Sequence, residues 1–277
     1  MAPADSIKHA VKSEPIFILA CGWRSGSTLL QRLLCSHPDI HIWGENRGIC
    51  SALDRAASTV AGFEGLSRHG AVEFTKAGTN GWIAMLNPPH AWFMSSMAVM
   101  LDLYFGEPVR RGGKRRWGFK EVRHGAETAD FLASLFPKAK FLFLVRDPTA
   151  CLASARATAS PSGGGGLLAE VGGPDTFLAY WTRIACSFYE RPCQDARLVV
   201  RYEQLVGQPE PTIGSIAEFL GLAPEGFARE VLAVRRRGWR EAEPRLTDQD
   251  RQALDDVDVR RVAGLFGYSL NRQPAES

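Results

Sequence analysis

The chain has 277 residues, 45% of them hydrophobic and 23% charged, which is enough apolar matter for one sizeable core and argues against global disorder. Its formal net charge of +3 is too small for a general nucleic-acid or polyanion binder, so any anion site must be built by local geometry. The cysteines at positions 21, 35, 50, 151, 186 and 193 form no C-x-x-C pair and lack the spacing of a disulfide-stapled secreted domain, which points to a reducing, cytoplasmic setting. Residues 1–14 read as a flexible tail without a signal-peptide core, and no apolar tract reaches the roughly 18–20 residues of a membrane span.

In chain order, the apolar run Ile16–Ala20 predicts a strand. A glycine-bearing loop follows, Cys21–Thr28, and then leucines at helical spacing. A short strand is expected at Ile40–Trp43 and a helix from Ile49 to about Ala61. Residues 62–90 show no period and read as irregular, part of an acceptor-side insertion over 62–116. Within it, Ala91–Phe105 reads as a buried helix. A strand at Trp117–Lys120 precedes a helix near Glu127–Phe136. The run Phe141–Val145 is the strongest strand, and Pro148 suits the first turn of the helix after it. Ser160–Pro174, with six glycines and two prolines, reads as a mobile loop. A helix is predicted over Asp175–Arg191, a strand over Leu198–Val200, and helices over Thr212–Leu220 and Asp248–Phe266. Apolar strands without alternation, each followed by a helix, predict a parallel α/β sheet covered on both faces in one domain, residues 15–277.

The loop Cys21–Thr28 sits where strand-to-helix geometry aims backbone N–H groups at an anion. It departs from the nucleoside-triphosphate pattern G-x-x-x-x-G-K-[ST], because Cys21 replaces the first glycine and Ser27 the lysine. Arg24 lies inside the turn instead, which suits a shorter anion; an ordinary strand-to-helix connection is the plainer alternative. Arg146 follows the strongest strand and Ser154 lies eight residues on, a pair that suits a further phosphate or forms a simple surface turn. Ligands gather at the carboxyl ends of strands in such sheets, so the two features share a crevice if their strands are neighbours. The basic run Arg110–Arg116 reads first as a solvated loop, and Trp82, Trp92, Phe93, Met94, Met97 and Met100 read first as core, second as an acceptor pocket. His37, before Pro38, reads as a structural residue ending a helix.

Taken together, Arg24-Ser-Gly-Ser-Thr28, His37-Pro-Asp39, Gly44-Glu45, Trp117-Gly-Phe-Lys120, Phe143–Pro148 with Ser154, Tyr202–Leu205, Phe219-Leu-Gly221 and Phe266-Gly-Tyr268 resemble the sulfotransferases that use 3′-phosphoadenosine 5′-phosphosulfate (PAPS). More narrowly, the chain is similar to the branch holding bacterial and tyrosylprotein sulfotransferases. The resemblance implies a P-loop three-layer sandwich with a central, mainly parallel sheet and helices on both faces. It also implies transfer of a sulfuryl group to a hydroxyl, without a metal, leaving PAP as product. Arg24, Ser25, Gly26, Ser27 and Thr28 inherit the 5′-phosphosulfate site, Arg146 and Ser154 the 3′-phosphate site, and Tyr202 a place near the nucleotide. Arg237 or Trp239 matches a late basic–aromatic contact to the donor. Glu45 inherits the general-base role, and Lys120 with Arg24 stabilises the departing phosphate. His124 is a reserve base, since the histidine two residues after the lysine in cytosolic relatives is Val122 here. The glycine-rich loop is expected to close over the donor. A small-molecule acceptor is favoured, and no nucleic-acid partner is expected. A P-loop kinase using ATP with Mg²⁺ held by Asp147 and a non-catalytic nucleotide-binding module are the rival readings.

Overall fold

The computed structural model describes residues 13–157, 166–190, 196–233 and 246–270. Most of the expected tail, the first half of the glycine-rich loop at 160–165, and Arg237 and Trp239 lie outside the described residues. Five strands, β1 (Ile16–Ala20), β2 (Ile40–Trp43), β3 (Arg116–Glu121), β4 (Lys140–Val145) and β5 (Arg197–Arg201), form a parallel sheet in the order β2-β3-β1-β4-β5. The main helices are α1 (Ser27–Ser36), α2 (Ile49–Gly62), α3 (Glu64–Ala77), α4 (His90–Leu101), α5 (Ala126–Leu135), α6 (Pro148–Arg156), α7 (Pro174–Glu190), α8 (Pro209–Leu220), α9 (Asp248–Leu254) and α10 (Val257–Leu265). The expected α/β architecture is thus present.

Alternation along the strands sorts the core into two layers. Phe17 and Leu19 face one side with Trp117, Phe119, Phe141 and Phe143, under α4 to α7 and the C-terminal helices. Ile16, Ile18 and Ala20 face the other with Ile42, Leu142 and Leu144, against Leu30, Leu33 and Leu34 of α1 and Ile213 and Ile216 of α8. Both layers are buried, which is why the strands read as unbroken apolar runs. The aromatic layer is centred on Phe17, whose ring lies 4.7 Å from Phe119 and 5.5 Å from Phe141. Strand pairing at β3 also demands a bare position. A Cβ on Gly118 would stand 1.6 Å from the Ile16 carbonyl oxygen.

Four expectations are corrected. Residues 62–90 are not irregular throughout, because α3 fills fourteen of them. Its buried positions are Ser67 and Gly70, and Gly70 packs against the backbone of Leu86, so small residues that let a neighbouring backbone approach replace the apolar stripe that would have signalled a helix. The expected helix Asp248–Phe266 is two helices, since Asp256 turns out of line and caps α10 by accepting from the N–H groups of Asp258 and Val259. The helix Ala91–Phe105 begins at His90 and widens into a π-helical turn at Asp102–Gly106. Of the glycine-rich segment, Gly166–Glu170 is a short helix and Pro174 opens α7.

The basic run does structural work. Arg110 binds Asp102 and Glu107, Lys114 Nζ donates to the carbonyls of His37 and Ile40 at 3.0 and 2.8 Å, and Arg116 donates to the Leu220 carbonyl. His37 forms the C-cap of α1, and its Nδ1 accepts from the Asp39 N–H. Among the aromatic and methionine residues of 82–100, Met97 is buried in the core whereas Trp82 and Met100 are exposed.

Candidate active site

Sheet order decides the site. β1 lies between β3 and β4, so the loop after β1 opens between Lys120 near the end of β3 and Arg146 just past β4. The loop is shaped by left-handed backbone at Gly22, Arg24 and Gly26, with φ of 117°, 63° and 91°. Buried Ser25 closes it by donating to the Gly22 carbonyl at 2.8 Å. α1 then starts at Ser27 with no side-chain cap; the N–H groups of Leu29 and Leu30 donate to the Gly26 carbonyl, and the positive dipole end beside the loop is an arrangement able to seat an anion. Gly26 is required here on two counts: its φ, and the Tyr202 ring, which would lie 2.3 Å from any Cβ.

A second cradle adjoins the first. Arg146 Nη1 donates to the Arg24 carbonyl at 2.8 Å, its guanidinium lies 4.2 Å from the Tyr202 ring centroid, and its buried Nε has no hydrogen-bond partner among the described residues. Arg24 Nε donates to Ser154 Oγ at 3.0 Å. The structure therefore brings Arg24, Gly26, Arg146, Ser154 and Tyr202 together. Asp147 spends its Oδ1 on the Ala150 N–H as the N-cap of α6, and its own N–H donates to Glu203, which also accepts from the Tyr268 hydroxyl at 2.7 Å. Trp181 Nε1 fixes the Arg146 carbonyl.

Across the loop lies an acid between two bases. Glu45, two residues past β2, accepts from Lys120 Nζ at 2.7 Å on Oε1 and from Arg123 Nη1 at 2.8 Å on Oε2. Burial pushes the Glu45 carboxyl upward, but the hydrogen bond and charge of Lys120, reinforced by Arg123, outweigh it and hold the group below the ordinary carboxylate value. Arg123 also lies 5.9 Å from the Trp23 ring, so one guanidinium spans from Glu45 to the phosphate-type loop. His124 is hydrogen-bonded to Ser51 Oγ of α2 at 3.2 Å. Sequence reasoning passed over Arg123 and Glu121, and it gave no role to Glu203 inside the run Tyr202–Leu205. A lone arginine three residues after Lys120 carries no motif, and its meaning appears only when β3 brings it to a glutamate 78 positions earlier in the chain.

The comparisons fit this geometry. A model of the sulfotransferase family matches residues 15–225. The chain belongs to that family. Protein-tyrosine sulfotransferase 1 of Danio rerio is 25% identical over 213 residues, covering 76% of this chain and 54% of the relative. Protein-tyrosine sulfotransferase 2 of Gallus gallus is 26% identical, covering 80% and 56%. The chain thus spans about half the length of the curated relatives it matches. Among solved structures, a sulfotransferase domain from the curacin biosynthetic pathway superposes with a TM-score of 0.53 at 17% identity, covering 94% of this chain and 99% of the other; at that identity the likeness concerns the fold. This family relationship weighs against the kinase reading, as does the capping role of Asp147.

Proposed function

We propose that the protein transfers the sulfuryl group of PAPS to a hydroxyl of a small-molecule acceptor by in-line displacement, with Glu45 as general base. The observation that carries the reading is the shared crevice: an anion loop and the Arg146–Ser154 cradle on one side, and Glu45 on Lys120 and Arg123 on the other. The donor's anionic groups suit these residues. The first turn of α1 offers N–H groups to a 5′-phosphosulfate, and the unpartnered Nε of Arg146 is a buried donor suited to a 3′-phosphate. In this proposal Arg237 or Trp239 supplies a further contact to the donor, and the glycine-rich segment serves as a lid.

In the reaction, the acceptor oxygen forms a bond to sulfur while the bond from sulfur to the bridging oxygen breaks, and that electron pair stays on the departing 5′-phosphate. Glu45 takes the acceptor's proton, and Lys120 and Arg24 offset the charge gathering on the leaving oxygens. His124 remains the reserve base. Partly buried Ile49 and Leu53 of α2 and Phe93 and Met94 of α4, packed against the core, are apolar surface consistent with an apolar acceptor. All five described cysteines are free thiols, which supports the cytoplasmic setting.

The test is a PAPS-consumption screen across small phenols, alcohols, sugars and a tyrosine peptide, run beside thermal shifts with PAP and with ATP·Mg²⁺. Sulfation of a small phenol or alcohol with stabilisation by PAP supports the reading. Stabilisation by ATP·Mg²⁺ alone returns the kinase, PAP binding without transfer to any acceptor leaves a binding module, and transfer confined to the peptide overturns the small-molecule assignment.

A further inference from the structure

The carboxylate of Glu121 has no part in the chemistry above, yet it is wholly buried at the carboxyl end of β3. Its Oε1 accepts from the Val122 N–H at 2.9 Å and the Arg123 N–H at 3.3 Å, and it lies 3.4 Å from Arg123 Nη1. Its Oε2 has no hydrogen-bond partner among the described residues. A buried carboxylate with one oxygen unsatisfied is a costly thing to keep for a turn that an asparagine or serine would also close. Its one side-chain ion pair among the described residues is with Arg123, the residue whose same nitrogen binds Glu45 Oε2.

We propose that Glu121 and Arg123 are positioning residues for the base: Glu121 anchors Arg123 by backbone and guanidinium together, and Arg123 in turn holds the Glu45 carboxylate in place and sets its basicity. This rests on the reading of Glu45 as the base. Glu45 projects from a loop, so a hydrogen bond from Lys120 to one carboxylate oxygen leaves the group able to turn about that single contact; a second cation at 2.8 Å on the other oxygen, itself held against buried Glu121 and beside the Trp23 ring, removes that freedom. The other titratable groups around the cluster are Lys120 on β3, His124 on Ser51 of α2, Arg47 on the Glu45 loop, Arg183 of α7, which donates to the Arg123 carbonyl at 3.3 Å and pairs with Glu127, and Cys50, a neutral thiol whose pKa is pushed up to about 12, chiefly by burial. Among these groups, Lys120 and Arg123 are the ones hydrogen-bonded to Glu45.

The experiment is a carbon-13 NMR titration of glutamate-labelled protein, with the Glu45 carboxyl signal assigned as the one missing in E45Q. Removing a neighbouring cation raises a carboxylate's pKa, so R123Q is expected to move the Glu45 midpoint up by about one pH unit and R123K to restore most of it. With the acceptor found in the screen, R123Q is expected to lower kcat ~10-fold or more while the KM for PAPS stays within about twofold. E121Q keeps the acceptor oxygen but loses the charge, so kcat falls, and the E121Q/R123Q double variant is no slower than R123Q alone, the signature of action through one residue. A Glu45 midpoint unmoved in R123Q, or a double variant slowed by the product of the two single effects, overturns the inference. Normal turnover by E45Q overturns the base assignment instead, and the two failures are distinguishable because the NMR midpoint is read without turnover.

Discussion

The two halves of the crevice are built by different means. On the donor side the backbone does most of the work: three left-handed residues, an uncapped helix start and a glycine pressed against Tyr202 leave the loop one shape. On the other side the geometry is made by side chains, since Glu45 follows β2 while Lys120 and Arg123 come from the end of β3, and the acid meets the two cations through side-chain hydrogen bonds. A backbone-built site is rigid and has a sequence signature. A side-chain-built site is tunable and nearly invisible in the sequence.

Substitutions sharpen this contrast. The largest effect is expected at Glu45: E45Q should lower kcat by roughly 10²–10⁴-fold, the usual worth of general acid–base catalysis, while PAP affinity by calorimetry stays nearly unchanged. Donor-side changes should do the reverse. G26A places a Cβ against Tyr202 in a backbone conformation that side chains rarely adopt, so PAP binding should weaken by roughly 30-fold or more and the melting temperature should fall. R146Q removes a charged donor worth about 2 kcal/mol, so KM for PAPS should rise ~30-fold with kcat little altered, as steady-state kinetics will show. Equal effects on kcat and donor binding at all three positions would erase the distinction between the two halves.

The smallest expected effect concerns the support behind the donor cradle. Asp250 is wholly buried and paired with Arg156, two residues beyond Ser154 on α6. Burial raises its carboxyl, but the hydrogen bond from Arg156 and those from Thr247 prevail and hold it below the ordinary value. A depressed folded-state pKa gives stability that is present above the unfolded value and lost as pH falls through the folded one. Urea midpoints should therefore drop on acidification below the normal carboxylate range. D250N should lose about 1–2 kcal/mol at pH 7 and show a flatter acid dependence.

The same contrast explains what the sequence disclosed. Strands β1 and β4 and the loop between β1 and α1 were legible because burial on both faces and a tight turn each force residue choice locally. Helix α3 escaped, because its buried positions are Ser67 and Gly70 and periodic hydrophobicity was absent. The break between α9 and α10 escaped because an aspartate is as ordinary on a helix surface as at a cap. Glu45 and Lys120 were found by resemblance to a family, whereas Arg123 and Glu121 required the register of β3 against its neighbours to become meaningful.

Arg24 connects the two anion seats through opposite ends of one residue. Its carbonyl receives Arg146, and its side chain reaches Ser154. The two cradles therefore share a hinge pin, and neither is able to reshape around a ligand without tugging on the other. If the donor binds as proposed, a nucleotide bearing only one of its two charged ends would meet a surface whose other half is still gripping itself, and tight binding would require both ends at once.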